Sequence, residues 1–196
     1  MLISLKDIIS RYSINIRGVL HIGAHYGEEY YGGLDVIYFE PVKDNFRKLI
    51  QLHPDAMAFN IALGNESGTR VMYVETDNNG QSCSLLEPAV HLTQYPNIVF
   101  NQKEIVRIDR LDNVPFNRDE YNMINMDVQG FELEVLKGGI KTLRSIDYIY
   151  SEVNFVEMYK GCCLVEELDG FLLKHGFSRV MTDDSPVTWG DAFYMR

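Results

Sequence analysis

Short apolar runs that stop at a glycine or an acid, separated by stretches of helical periodicity, constrain the fold of this chain more than any other feature. Val19–Ile22 runs into Gly23, and Val36–Phe39 into Glu40. The run YNMINM ends at Asp127, and IDYIYS at Glu152. Compact hydrophobic runs without alternation are what strands covered on both faces require. Between the first two lies a segment long enough for one short helix. After Pro41, the residues Val42, Phe46, Leu49 and Ile50 share a helical face, with Lys43, Asp44, Arg47 and Lys48 opposite; the proline fits a first-turn position. Ala56–Ile61 follows as a strand, TRVMYVE as an added strand, 76–97 as loop and Ile105–Ile108 as a further strand. FELEVLKGGIKTL reads as helix up to Gly138–Gly139, VEELDGFLLKHGF as helix and WGDAFYMR as a closing strand. A helix is expected over 2–12. The pattern predicts an α/β fold, an open and mainly parallel sheet with helices on both faces. In such sheets ligands bind beyond the carboxyl ends of the strands.

A length of 196 residues suits one domain, 1–196, with the N-terminal helix packed on it. The net charge of −10, without any Lys/Arg cluster, argues against nucleic acid as a partner. No apolar segment is long enough to span a bilayer, and the N-terminus lacks the pattern of a signal peptide. Cys83, Cys162 and Cys163 make neither a paired framework nor CxxC, so reduced thiols in a cytoplasmic setting are expected.

The corner VLHIGAHYGEE places Gly23 and Gly27 where a buried strand ends. Glycines there let backbone approach a ligand or simply make a tight turn. Glu40, at the end of the next strand, is placed to accept hydrogen bonds from both hydroxyls of a ribose; alone, it is also a plain helix N-terminal acid. A dinucleotide would need a phosphate cradle, usually G-x-G-x-x-G. GAHYG lacks the middle glycine, and Glu28 and Glu29 would repel a pyrophosphate. S-adenosylmethionine, a cation without phosphate, fits an acidic surround better.

The ordered set VLHIGAHYGEE, VIYFEPVKDNF, NIALGNESGT, SCSLLEP, VRIDRLD, INMDVQGFELEVLKGG and IYSEVN resembles the FkbM family of S-adenosylmethionine-dependent methyltransferases, over about Val19 to Asn154. WGDAFYMR is similar to endings of some members. The resemblance implies a class I methyltransferase (Rossmann-like) fold, seven-stranded with the last strand antiparallel, and O-methylation of a sugar, glycan or related metabolite. It implies that Gly23, Ala24, His25 and Gly27 line the methionine side of the cofactor. Glu40, with Pro41 beside it, would hold the ribose, and Asn60, Ile61 and Ala62 would border the adenine. Two positions depart from the family: His21 stands where many members carry an acid that meets the cofactor's ammonium, and Gln129 where many carry Glu.

Candidate bases for removing the acceptor proton are Asp127, Glu152 and His25, with Glu132 also in reach. Asp127 would also face the sulfonium. Glu132 is equally suited to interact with a helix N-terminus, and His25 to hydrogen-bond backbone. Ser82, Ser84, Gln129 and Glu132 form the expected substrate-binding set, the serines on a lid or an ordinary solvated loop. Trp189 is open to stacking on a sugar or to core packing. Mg²⁺ on Asp127, Glu152 and Asp191 is a minority alternative, and the histidines are too scattered for zinc. Two other functions stand beside the methyltransferase: an idle binding module that keeps the fold, and a nucleotide-sugar or NAD-dependent enzyme.

Overall fold

The computed structural model describes residues 3–29 and 31–196. In chain order its elements are α1 (Leu5–Tyr12), β1 (Gly18–Ile22), β2 (Asp35–Phe39), α2 (Lys43–Leu52), β3 (Met57–Phe59), β4 (Ala62–Leu63), β5 (Gly68–Val74) and the one-turn α3 (His91–Gln94). They continue with β6 (Gln102–Asp109), β7 (Met123–Met126), α4 (Glu132–Gly138), β8 (Tyr148–Asn154), α5 (Val165–Lys174), β9 (Ser178–Asp183) and β10 (Trp189–Met195).

Seven strands form one sheet in the order β3-β2-β1-β7-β8-β10-β9. The five from β3 to β8 run parallel, and β10 inserts antiparallel between β8 and β9. This is the mostly parallel seven-stranded sheet with an antiparallel last strand that the resemblance implies. Every residue of β1 and β7, neighbours in the middle of the sheet, is buried, which is why their sequences are mostly apolar, with His21 and Asn125 as the buried polar exceptions. On one side of the sheet Leu20, Ile22, Ile124, Val135, Leu168 and Leu172 belong to the main core. Ile8 of α1 sits in a separate cluster with Val19, Met123, Tyr150 and Phe193.

The structure departs from the sequence expectations at four places. Among the described residues of 23–34 there is no helix. Gly23, His25, Gly27, Gly32 and Gly33 all take positive φ, and glycine alone disfavours a helix interior by about 1 kcal/mol per residue. α2 begins at Lys43, so Pro41 stands ahead of the helix rather than in its first turn. α1 begins at Leu5, and position 2 of the expected helix lies outside the described residues. The expected loop 76–97 contains α3, and the strand around Ile105–Ile108 belongs to a second sheet, β4-β6-β5.

That second sheet positions the site. Met72, Val74, Val106 and Ile108 pack with Val42 and Phe131, which anchors the 75–100 segment beside the carboxyl ends of the main strands. Two isolated bridges, Tyr73 with Ser84 and Pro88 with Tyr159, tie the segment down. Glu75, itself 1% exposed, closes its first turn by accepting from the main-chain N–H groups of Asn78 (2.7 Å) and Ser82 (3.2 Å). No helix among the described residues is long and apolar enough to cross a membrane.

Candidate active site

Parallel pairing brings the ends of β1, β2, β7 and β8 together. The N–H groups of Gly23 and Ala24 both donate to the Phe39 carbonyl, and that of Asp127 donates to Ile22. The β1 turn therefore lies against the ends of both neighbours. A Cβ at Gly23 would sit 1.8 Å from the Asp127 carbonyl oxygen, at φ +76°, so this close approach requires glycine.

A cavity of about 410 Å³ opens at these ends, within the range of small-molecule sites. Six carboxylates line it, on Glu28, Glu29, Glu40, Asp127, Glu152 and Asp191, and no Lys or Arg does among the described residues. Glu40 is 4% exposed. Its Oε2 accepts from His25 N–H and its Oε1 from Val42 N–H, each at 2.8 Å. Those bonds, with a further one from the Asn45 side chain, orient the carboxylate. Burial outweighs them and pushes its pKa up to about 8.

On the β7 and β8 side one glutamine organises the acids. Gln129 Nε2 donates to Asp127 Oδ1 at 2.7 Å and to Glu152 Oε2 at 3.0 Å. Its Oε1 lies 2.5 Å from the Tyr159 hydroxyl. Burial is the largest cause that raises both carboxyls, Asp127 to about 6 and Glu152 well above the usual range, where the Asp127 charge adds to it. Asp191 is 4% exposed and accepts from the Tyr150 hydroxyl.

The cavity wall brings together most of the residues expected from the sequence. His21, Gly23, Ala24, His25, Glu40 and Pro41 line it on the β1 and β2 side. Ile61, Ala62, Ser82, Asp127, Gln129 and Glu152 line the rest, with Trp189 and Asp191. Four expected residues stand apart from it. Gly27 faces His53. The Asn60 side chain donates to the carbonyls of Glu40 and Pro41, bracing the β2 end from outside. Ser84 is fully buried, its hydroxyl donating to the Gln129 carbonyl. Glu132 accepts from Val128 and Gly130 N–H groups at the start of α4. Of its two sequence readings, the helix-terminal one matches these bonds.

His25 has its ring Nε2 2.8 Å from the Asn79 carbonyl. A carbonyl only accepts, so Nε2 carries the proton and the ring ties the β1 turn to the 75–82 turn. Its Nδ1 lies 3.9 Å from Glu28. His21 is 2% exposed, with Nδ1 lacking a partner and Nε2 3.5 Å from Glu29; burial lowers its pKa and favours the neutral ring. Among the described residues no group of three or more His, Cys, Asp or Glu is arranged to hold a metal ion. All three cysteines are free and buried.

Sequence reasoning missed the far wall, which includes His91, Tyr95, Asn154 and Tyr159. Two signals were there to read. His91 and Tyr95 are four residues apart, a one-face helical spacing inside a presumed loop, and Asn154 follows Glu152 at the two-residue period of a strand face.

The Methyltransferase FkbM domain matches residues 21–179, most of the chain. The chain belongs to the FkbM methyltransferase family. A curated relative of this FkbM domain is the 2-O-methyltransferase NoeI of Sinorhizobium fredii (strain NGR234), 31% identical over 111 residues. That match covers 53% of this chain and 45% of NoeI, so the FkbM domain here corresponds to under half of that protein. Among solved structures, the methyltransferase FkbM of Methylobacillus flagellatus KT superposes with a TM-score of 0.60 at 14% identity, over 91% of this chain and 43% of that one. Magnesium protoporphyrin IX methyltransferase from Synechocystis PCC 6803, solved with bound S-adenosylmethionine, gives 0.54 at 8% identity, over 96% and 74%. A SAM-dependent methyltransferase from Aquifex aeolicus gives 0.52 at 11% identity, over 97% and 88%. The fold is that of class I methyltransferases.

Proposed function

We propose that this FkbM domain is an S-adenosylmethionine-dependent O-methyltransferase acting on a hydroxyl of a sugar, glycan or related small metabolite. The observation that carries the reading is the make-up of the cavity wall: six carboxyl groups, no Lys or Arg among the described residues, and a glycine turn at the strand ends. Carboxyls ionise against a cationic ligand and offer a phosphate no counter-charge. Among the described residues after β1 no helix N-terminus offers the usual pyrophosphate cradle, which counts against a nucleotide-sugar or NAD enzyme. The neighbouring 2-O-methyltransferase NoeI supports oxygen as the acceptor atom.

The chain's groups suit the cofactor piece by piece. Glu40, fixed by two main-chain N–H groups and the Asn45 side chain, lines the cavity as the acceptor for a ribose hydroxyl. Ile61 and Ala62 offer apolar wall for an adenine. Glu29, beside the neutral His21, supplies near β1 the carboxylate that His21 replaces within it. When bound, S-adenosylmethionine supplies a methyl group already activated on a sulfonium. The protein's part is to align the acceptor oxygen, keep water out and take the hydroxyl proton. Alignment of this kind is worth roughly 7–11 kcal/mol in well-oriented systems. Glu152, on β8 and one strand further from the glycine turn than Asp127, takes the proton as its carboxylate. Asp127 follows β7, directly beside β1, and faces the cationic centre. The acid pair held by Gln129 also distinguishes this reading from an idle binding module.

The test is incubation with isotope-labelled S-adenosylmethionine and a panel of methyl glycosides, read by mass spectrometry. A gain of one methyl on oxygen is expected, reduced about 10²–10⁴-fold in Glu152→Gln. No methyl gain on any glycoside, or an unchanged rate in Glu152→Gln, contradicts the proposal.

A further inference from the structure

The far wall of the cavity carries polar groups that the cofactor reading leaves unused. Asn154, the last residue of β8, is 1% exposed, and neither its Oδ1 nor its Nδ2 has a partner. His91 of α3 is 3% exposed, and its Nδ1 has no partner either. Both residues line the cavity. An unsatisfied buried polar group is costly, so these atoms are the part of the wall with most to gain from a ligand.

Three observations define that ligand's chemistry. Asn154 follows Glu152 by two positions on β8, so the strand pleat projects both side chains to one face. The surrounding wall is aromatic: Trp189 pairs with Asn154 across the β8–β10 ladder, and its Nε1–H donates to the Tyr95 hydroxyl at 2.8 Å. The Tyr95 and Tyr159 rings lie 5.1 Å and 5.5 Å from the His91 ring. Finally, a carboxamide presents an acceptor and a donor side by side. Two adjacent hydroxyls, each able to donate and accept, are its complement.

We propose that Asn154 and His91 form the acceptor subsite of this FkbM domain and select a vicinal diol of a pyranoside. The Asn154 amide bridges one hydroxyl pair, with its Oδ1 accepting and its Nδ2 donating. The His91 Nδ1 takes a further ring substituent, and Trp189 covers the C–H face of the ring. The hydroxyl next along the ring then faces Glu152, which couples recognition to the point of methylation. This rests on the methyltransferase reading above and names the recognition chemistry within it.

The test uses the full chain saturated with S-adenosylhomocysteine and titrated with methyl glycosides of glucose, galactose, mannose and their 6-deoxy forms, each beside its 2-deoxy and 3-deoxy analogues. At least one intact diol is expected to bind tenfold or more tightly than its deoxy counterpart. Asn154→Ala is expected to erase that difference and raise the acceptor KM on the order of tenfold, while S-adenosylhomocysteine affinity stays within twofold. His91→Phe, which keeps the ring volume, is expected to raise KM without moving the pH profile. Cofactor binding with no preference for any intact diol overturns the inference, as does an Asn154→Ala protein with unchanged acceptor discrimination. Failure to bind S-adenosylhomocysteine instead contradicts the cofactor reading, and this inference with it.

Discussion

At Gln129 the backbone takes φ +54°, a left-handed conformation uncommon for a residue with a side chain. In that pose both amide hydrogens go to the carboxylates of Asp127 and Glu152, and the amide oxygen faces Tyr159. Glutamate, expected here from the family resemblance, would set a third carboxylate against the other two. Gln129→Glu is therefore expected to raise the apparent pKa of the acid pair by about one unit, equivalent to ~1.4 kcal/mol of repulsion. The acidic limb of the pH–rate profile moves up by that amount, while S-adenosylhomocysteine affinity holds. A profile that stays in place shows that Gln129 does not control the pair. The residue types at 127, 129 and 152 were legible in the sequence as strand-end polar groups. Their joining was not, because it depends on Tyr159, thirty residues beyond Gln129, and on a dihedral that no local pattern signals.

The elements show the same division between what is local and what is not. β1, β2, β7 and β8 announced themselves through continuous apolar runs, because burial on both faces leaves no room for polar alternation. That the described residues between β1 and β2 hold no helix is harder to read: Gly23 and Gly27 signal a turn, and Gly32 and Gly33, also at positive φ, add a second just before β2. α4 carries a prediction of its own. Glu132 at its start is 1% exposed; Oε1 accepts from Val128 and Gly130, and Oε2 has no partner. Burial raises its pKa from the ordinary 4.5 to about 7. An acid raised on folding makes the folded state hold its proton more tightly, so its stabilising contribution is full below pH 4.5 and lost as pH rises through about 7. Glu132→Gln keeps the acceptor oxygen without the charge, and is expected to be more stable than wild type at pH 8 and close to it at pH 5. Glu132→Ala strands two N–H groups and is expected to lose ~1–3 kcal/mol at both. Urea unfolding at the two pH values checks this. A Gln variant less stable than wild type at pH 8 contradicts it.

Across the whole molecule, strand order and site location follow from one rule: parallel strands end on the same edge, and the polar residues that stop them collect there. That made the edge with Gly23, Glu40 and Asp127 legible before any coordinates. The second sheet was not, since β4 is two residues long and gains its identity only by pairing with β6. Nor was the far wall, which is assembled from α3, β8 and the start of β10 at wide separations in the chain. The central claim is that this edge binds an adenosyl cation, with Glu40 holding the ribose. With burial holding Glu40 up at about 8, a ligand whose hydroxyls donate to it favours the ionised form, so binding near pH 7 releases a proton. The most direct measurement is calorimetric titration of S-adenosylmethionine and NAD into wild type and Glu40→Ala at pH 7, in buffers of different ionisation enthalpy. Saturable binding of the first and not the second is expected, with proton release, and a loss of tenfold or more in Glu40→Ala. Equal affinity in the variant, or preference for NAD, would contradict the account.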